Sequence, residues 1–198
     1  NKIVWYPGHM AKAKRKILES LSLIDIVIEL LDARLPLSSR NPDFSDMFHA
    51  KPCLTLLTKS SLADDSATER WVQRLSADGG TVIAIDCKTK KNIARIMPAV
   101  RMLLKEKLER YEQKGMNKTI RAMVVGITNV GKSTFINTFT GTGKAKAEDR
   151  PGVTRANQWI PSDKGIEFLD TPGVLWHKFE DEQVGIKLAC TGAIRDEV

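Results

Sequence analysis

Residues 126–133 read GITNVGKS, and the fold turns on that stretch. It is preceded by the apolar run IRAMVVGI (120–127) and feeds KSTFINTFTG (132–141). A strand, a Gly-x-x-x-x-Gly-Lys-Ser loop and a helix in that order form a phosphate-binding loop. Gly126 and Gly131 free the backbone to turn its N–H groups toward phosphate oxygens, and the helix N-terminus adds positive potential. Expected nucleotide contacts are Asn129, Val130, Gly131, Lys132, Ser133 and Thr134. Lys132 is expected to reach the β- and γ-phosphates, and the Ser133 hydroxyl to hold Mg²⁺.

The loop comes late, with only residues 134–198 after it. Upstream, IDIVIELLDA (24–33) and CLTLLTK (53–59) are apolar enough for strands buried on both faces. TVIAID (81–86) reads as a third strand. Helical periodicity marks 10–22, 66–78 and a long charged segment from Ile93 to Lys114, whereas RLPLSSRNPDF (34–44) reads as loop. Downstream, QWIPSDKGIEFLDTPG (158–173) reads as two strands around an SDKG turn, and DEQVGIKLAC (181–190) as a last helix. Too little chain follows the loop to complete a nucleotide-binding sheet, and three βα units precede it. The expectation is a circularly permuted α/β fold: a Ras-like P-loop NTPase with three layers and a mostly parallel sheet covered by helices on both faces. Two separate domains are the competing arrangement, disfavoured because three βα units make a poor free-standing sheet.

Asp170-Thr-Pro-Gly173 closes the apolar run IEFLD about 40 residues past the loop. Asp170 is expected in the Mg²⁺ shell, and the Gly173 N–H near a γ-phosphate. Between the two motifs, DRPGVTRANQ (149–158) carries Thr154, whose hydroxyl is a second expected Mg²⁺ and γ-phosphate ligand. The net charge of +7 and pI near 9.4 suit a polyanionic partner. The excess concentrates in Lys2, Lys12, Lys14, Arg15 and Lys16. Cys53, Cys87 and Cys190 form no CxxC pair and read as reduced thiols of a cytoplasmic protein. No apolar run approaches the roughly 20 residues of a membrane helix, so no membrane partner is expected.

YPGHMAKA, DIVIELLDAR, PLSSRNP, GITNVGKS, DRPGVT, LDTPG and the FEDE–TGAI stretch together resemble the YlqF-type circularly permuted GTPases, the ribosome biogenesis GTPase A family. The resemblance covers nearly all of the chain. It implies GTP/GDP and Mg²⁺ as ligands, and the large ribosomal subunit precursor with its rRNA as partner. It also implies a monomer with a GTPase domain over 1–180, and a helical RNA-contacting C-terminal domain that begins at 181–198 and is truncated here. His9 corresponds to the family's mobile catalytic residue; with Thr154 and Gly173 it makes the expected catalytic set. Val174 stands where many GTPases carry a water-orienting Gln, so a slow intrinsic rate stimulated by the ribosomal particle is expected. Asn129 is the family's candidate K⁺ ligand.

The chain departs from the family at the base site. The guanine-reading NKxD element is replaced by Thr58-Lys59-Ser60-Ser61, and a Ser hydroxyl accepts less well than a carboxylate. An Asp at position 61 is accordingly expected to tighten guanine binding. Thr58, Lys59, Ser61 and, at the third strand's end, Asp86, Cys87 and Lys88 complete the expected nucleotide contacts. Asp64 and Asp65 are not expected to substitute for the missing carboxylate. Two other readings compete: a ribosome- or RNA-docking module with weak or relaxed nucleotide binding, and an adenine-nucleotide kinase, which the DTPG and PGVT loops oppose.

Overall fold

The structure, a computed structural model, describes residues 8–77, 79–143, 145, 158–171 and 182–193. In chain order the elements are α1 (Gly8–Ser20), β1 (Ile26–Asp32), α2 (Asp43–Phe48), β2 (Cys53–Thr58), α3 (Asp65–Ala77) and β3 (Thr81–Ala84). There follow α4 (Ile96–Leu103), α5 (Lys105–Gln113), β4 (Ile120–Val125), α6 (Lys132–Thr140), β5 (Gln158–Pro161), β6 (Ile166–Asp170) and α7 (Glu182–Cys190).

The six strands form one sheet in the order β3-β2-β1-β4-β6-β5. All neighbours run parallel except the β5–β6 hairpin, as the SDKG turn predicts. β4, which carries the phosphate loop, is central, with the N-terminal strands on one side and the later hairpin on the other. This is the permuted, mostly parallel sheet expected from the late loop.

Alternation along the strands splits the core in two, because successive side chains point to opposite faces. Ile26, Ile28 and Leu30 of β1 and Val124 of β4 pack with Ile96 and Val100 of α4 and with Phe135, Ile136 and Phe139 of α6. Phe139 and Phe135 meet Phe168 edge-on, at centroid distances of 5.2 and 5.8 Å. On the other face Val27, Met123 and Leu169 pack against Ile17 of α1 and the Phe44–Phe48 pair of α2, and Leu31 and Leu57 against Trp71, Val72 and Leu75 of α3. Leu188 of α7 and Ala193 belong to the α6-side core.

Two elements differ from expectation. Residues 43–48 form α2, which begins in the last two residues of the stretch read as loop and was not expected. Its first turn is set by Asn41, whose side-chain oxygen accepts from the Asp43 N–H at 3.0 Å, and its apolar face is Phe44 and Phe48 with the half-buried Met47. The long charged helix is broken: a 3₁₀ turn covers Ile93–Arg95, and α4 and α5 meet at Leu104, whose buried side chain faces the core. Among the described residues no helix is long and apolar enough to cross a membrane.

Candidate nucleotide site

The phosphate loop leaves the C-terminal end of β4 and enters α6. Gly126 sits where a Cβ would lie 2.7 Å from Val130 Cγ1 and 3.2 Å from the Leu30 carbonyl oxygen, so only glycine lets the loop cross β1 this closely. Gly131, immediately before α6, has φ 101°. Lys132 folds over the loop, its Nζ donating to the Ile127 carbonyl at 3.2 Å. Burial of this ammonium lowers its pKa to about 8, with the Asp170 carboxylate opposing the fall. Asp170 ends β6 in register with Val124 of β4, so neighbouring strands bring it beside the loop. Ser133, the second residue of α6, and Asp170 supply oxygen donors, the set a hard divalent cation such as Mg²⁺ takes. Next to Asp170, the buried Thr171 hydroxyl donates to the Val124 carbonyl at 2.6 Å and ties the two strand ends together.

A cavity of about 350 Å³ opens beside this loop. Thr58, Lys59, Ser61, Asp86, Cys87 and Lys88 line one side, and Asn129, Val130, Gly131 and Thr134 the other, so the structure gathers the residues expected around the base. The two sides are bonded together. Thr58 is buried, and its hydroxyl reaches the Val130 carbonyl at 2.8 Å and the Leu31 carbonyl at 3.1 Å. Its hydroxyl thus braces the phosphate loop. Lys59 takes the left-handed conformation, φ 57°, and its Nζ donates to the Asn129 carbonyl at 2.7 Å.

Ser61 and Asp86 form a unit. The Ser61 hydroxyl donates to Asp86 Oδ2, as does its N–H at 3.3 Å. Oδ1 accepts from the Thr89 N–H at 2.9 Å and the Thr89 hydroxyl at 3.2 Å. Asp86 is 2% exposed. Its burial pushes the carboxyl up, but the bonds from Ser61 and Thr89 outweigh that and hold it at about 2. Neither nearby acid takes this place: Asp64 accepts from the Ser66 hydroxyl and the Ala67 N–H, both at 2.7 Å, and Asp65 pairs with Lys91.

The sequence reading missed Arg34 on the cavity wall. It forms a two-pronged pair with Asp32, at 2.9 and 2.7 Å, and the signal was the Asp-Ala-Arg sequence at the end of β1. Lys59 Nζ lies 3.8 Å from the same Asp32. Asn129 has φ 56°, and its side-chain amide donates to the Thr191 carbonyl at 3.0 Å, which gives it a loop-building contact. The Thr128 hydroxyl donates to the Ala193 carbonyl, so residues 191–193 lie against the loop. His9 falls in α1, but its side chain lies outside the described residues, as do Thr154 and Gly173.

A family model described as 50S ribosome-binding GTPase matches residues 121–196. Ribosome biogenesis GTPase A of Bacillus licheniformis is 52% identical over 99% of this chain and 70% of its own length. The protein of the same name from Bacillus cereus is 50% identical over 99% of this chain and 67% of its own. Among solved structures, GNP-bound YlqF from T. maritima superposes with a TM-score of 0.66 at 28% identity, over 92% of this chain and 66% of that one. A phosphate loop on the central strand of a permuted sheet, a base-sized cavity beside it and relatives at this level of identity lead to one assignment: the chain belongs to the ribosome biogenesis GTPase A family of circularly permuted GTPases.

Proposed function

We propose that this GTPase is an assembly factor for the large ribosomal subunit precursor, acting in the cytoplasm as a monomer on particle-bound rRNA, with hydrolysis slow until the particle stimulates it. The observation that carries the nucleotide reading is the cavity between the phosphate loop and the Thr58–Ser61 and Asp86–Lys88 segments, braced by Thr58 and Lys59. Lys132 exchanges its bond to Ile127 for the β- and γ-phosphates. Mg²⁺, held by Ser133 and Asp170 with Thr154 as a further ligand, offsets phosphate charge when bound. A K⁺ ion at Asn129 would draw on the side-chain oxygen and would need further oxygen ligands. His9 orients the attacking water where Val174 cannot, with the Gly173 N–H at the γ-phosphate. Of the basic run, Lys14 is engaged in an ion pair with Asp43 at 2.8 Å and Arg15 lies 3.6 Å from Glu19, so among the described residues Lys12 and Lys16 are the cations proposed to face rRNA first. Residues 181–198, which include α7, are assigned to the start of a helical RNA-contacting domain.

The test is calorimetric titration of GTP and GDP against the protein and Lys132→Ala. Binding of both nucleotides by the protein and its loss in the folded variant is the expected result. Equal affinity in the two proteins overturns the phosphate-loop assignment. Absence of binding by the unaltered protein favours the docking module, which rests on the missing carboxylate at Ser61.

A further inference from the structure

The base site lacks the acidic residue at position 61, yet a carboxylate lies directly behind that position. Ser61 is exposed on the cavity wall, while Asp86 is buried beneath it. A carboxylate offers about four lone-pair sites. Those of Asp86 meet four donors: the N–H and hydroxyl of Ser61 and the N–H and hydroxyl of Thr89. Asp86 is therefore saturated and does not itself take a base. Its effect passes through Ser61. A hydroxyl has one proton and two lone pairs, and here the proton is committed to Asp86. The Oγ atom is left with lone pairs only, made more basic by the anion behind it, since hydrogen bonds in a chain polarise one another.

We propose that Ser61, with its proton held by Asp86, is an acceptor-only group that reads the donor edge of guanine and disfavours adenine. Guanine offers its N1–H and exocyclic amine along this edge, whereas adenine presents a bare N1 lone pair there. A free serine would serve either base, by accepting from one or donating to the other. A serine locked by a carboxylate and placed opposite N1 and the 2-position serves guanine, whereas there adenine offers only the N1 lone pair and a C–H. This inference rests on the nucleotide reading above and names the pair that gives that site its base preference. One acceptor with partial anionic character is expected to favour guanine by about 10- to 150-fold, the range of a single hydrogen bond to a charged partner.

The experiment titrates GDP and ADP, which avoid turnover, into the full chain and into Ser61→Ala and Asp86→Asn. The expected result is a guanine preference that falls at least about fivefold in Ser61→Ala, through weaker GDP binding with ADP affinity unchanged. In Asp86→Asn the preference falls because ADP gains while GDP weakens, the lock on the Ser61 proton being released. Asp86 is buried, so that variant could unfold; Ser61 is exposed, and Ser61→Ala then decides alone. A GDP-to-ADP ratio unchanged in Ser61→Ala overturns the proposal while leaving the phosphate site standing. Failure of the parent protein to bind either diphosphate overturns the nucleotide reading itself, and this inference with it.

Discussion

Replacing Ser61 with Asp restores the family's missing carboxylate, and from sequence alone the change should tighten guanine binding. The structure alters that expectation. The new carboxylate lands against Asp86, whose Oδ2 now accepts from both the N–H and the hydroxyl of Ser61. Two carboxylates about 4 Å apart repel by about 1 kcal/mol in water and about 4 kcal/mol at an effective dielectric constant near 20. Ser61 is exposed and Asp86 is 2% exposed, so the pair straddles these limits. Loss of the hydroxyl bond removes about 1.5–3 kcal/mol more. Ser61→Asp alone is therefore expected to destabilise the protein by about 2.5–7 kcal/mol at pH 7. The double change Ser61→Asp with Asp86→Asn relieves the repulsion, because an amide can donate to the new carboxylate. Urea denaturation of the four proteins gives the coupling energy, expected at about 1–4 kcal/mol in favour of the double variant. The tightening of GDP binding, about tenfold or more, is likewise expected in the double variant and not in the single one. Lowering the pH should rescue the single variant, since protonating one carboxyl ends the repulsion. Stability changes that add to within about 0.5 kcal/mol would refute the reasoning, as would full guanine tightening in Ser61→Asp alone.

Lys132 supplies a prediction in pH. Its ordinary value of 10.5 falls to about 8 in the nucleotide-free fold, so between these values the folded protein binds fewer protons than the unfolded one, and its stability should rise with pH across that window. A triphosphate raises the value again, so binding at pH 9 should take up close to one proton, measured by calorimetry in buffers of different ionisation enthalpy; zero uptake would place Lys132 away from the phosphates. Thr58→Val removes the donor shared by the Val130 and Leu31 carbonyls and should lower stability by about 1–3 kcal/mol with a parallel loss of GDP affinity. An unchanged urea midpoint would show that the hydroxyl does not brace the loop.

The strands were legible because β1, β2 and β4 are buried on both faces and spell continuous apolar runs. α2 was not, because six residues with two aromatic anchors carry no periodicity and follow a Pro-rich turn. The break at Leu104 was hidden by charges that continue through it at helical spacing. At the site, the phosphate residues were legible because neighbouring positions carry them. The Ser61–Asp86 unit joins positions 25 residues apart. Only the parallel register of β2 with β3 places the two strand ends side by side, with the Ser60 N–H on the Ile85 carbonyl.

Chain order also governs how the sheet is made on the ribosome. Synthesis delivers β1, β2 and β3 first, and these can pair as a three-stranded sheet. One edge of β1 must then wait for β4, which begins at Ile120, almost 90 residues after the end of β1 at Asp32. All seven residues of β1 end up buried, so until β4 arrives the nascent chain carries a bare apolar edge in parallel register, the kind of edge that invites pairing with another chain. An unpermuted order would make the central strand first and never leave that edge open. Permutation therefore gives this protein a prolonged window of vulnerability during its own synthesis, in which residues 26–32 stand with one edge unpaired.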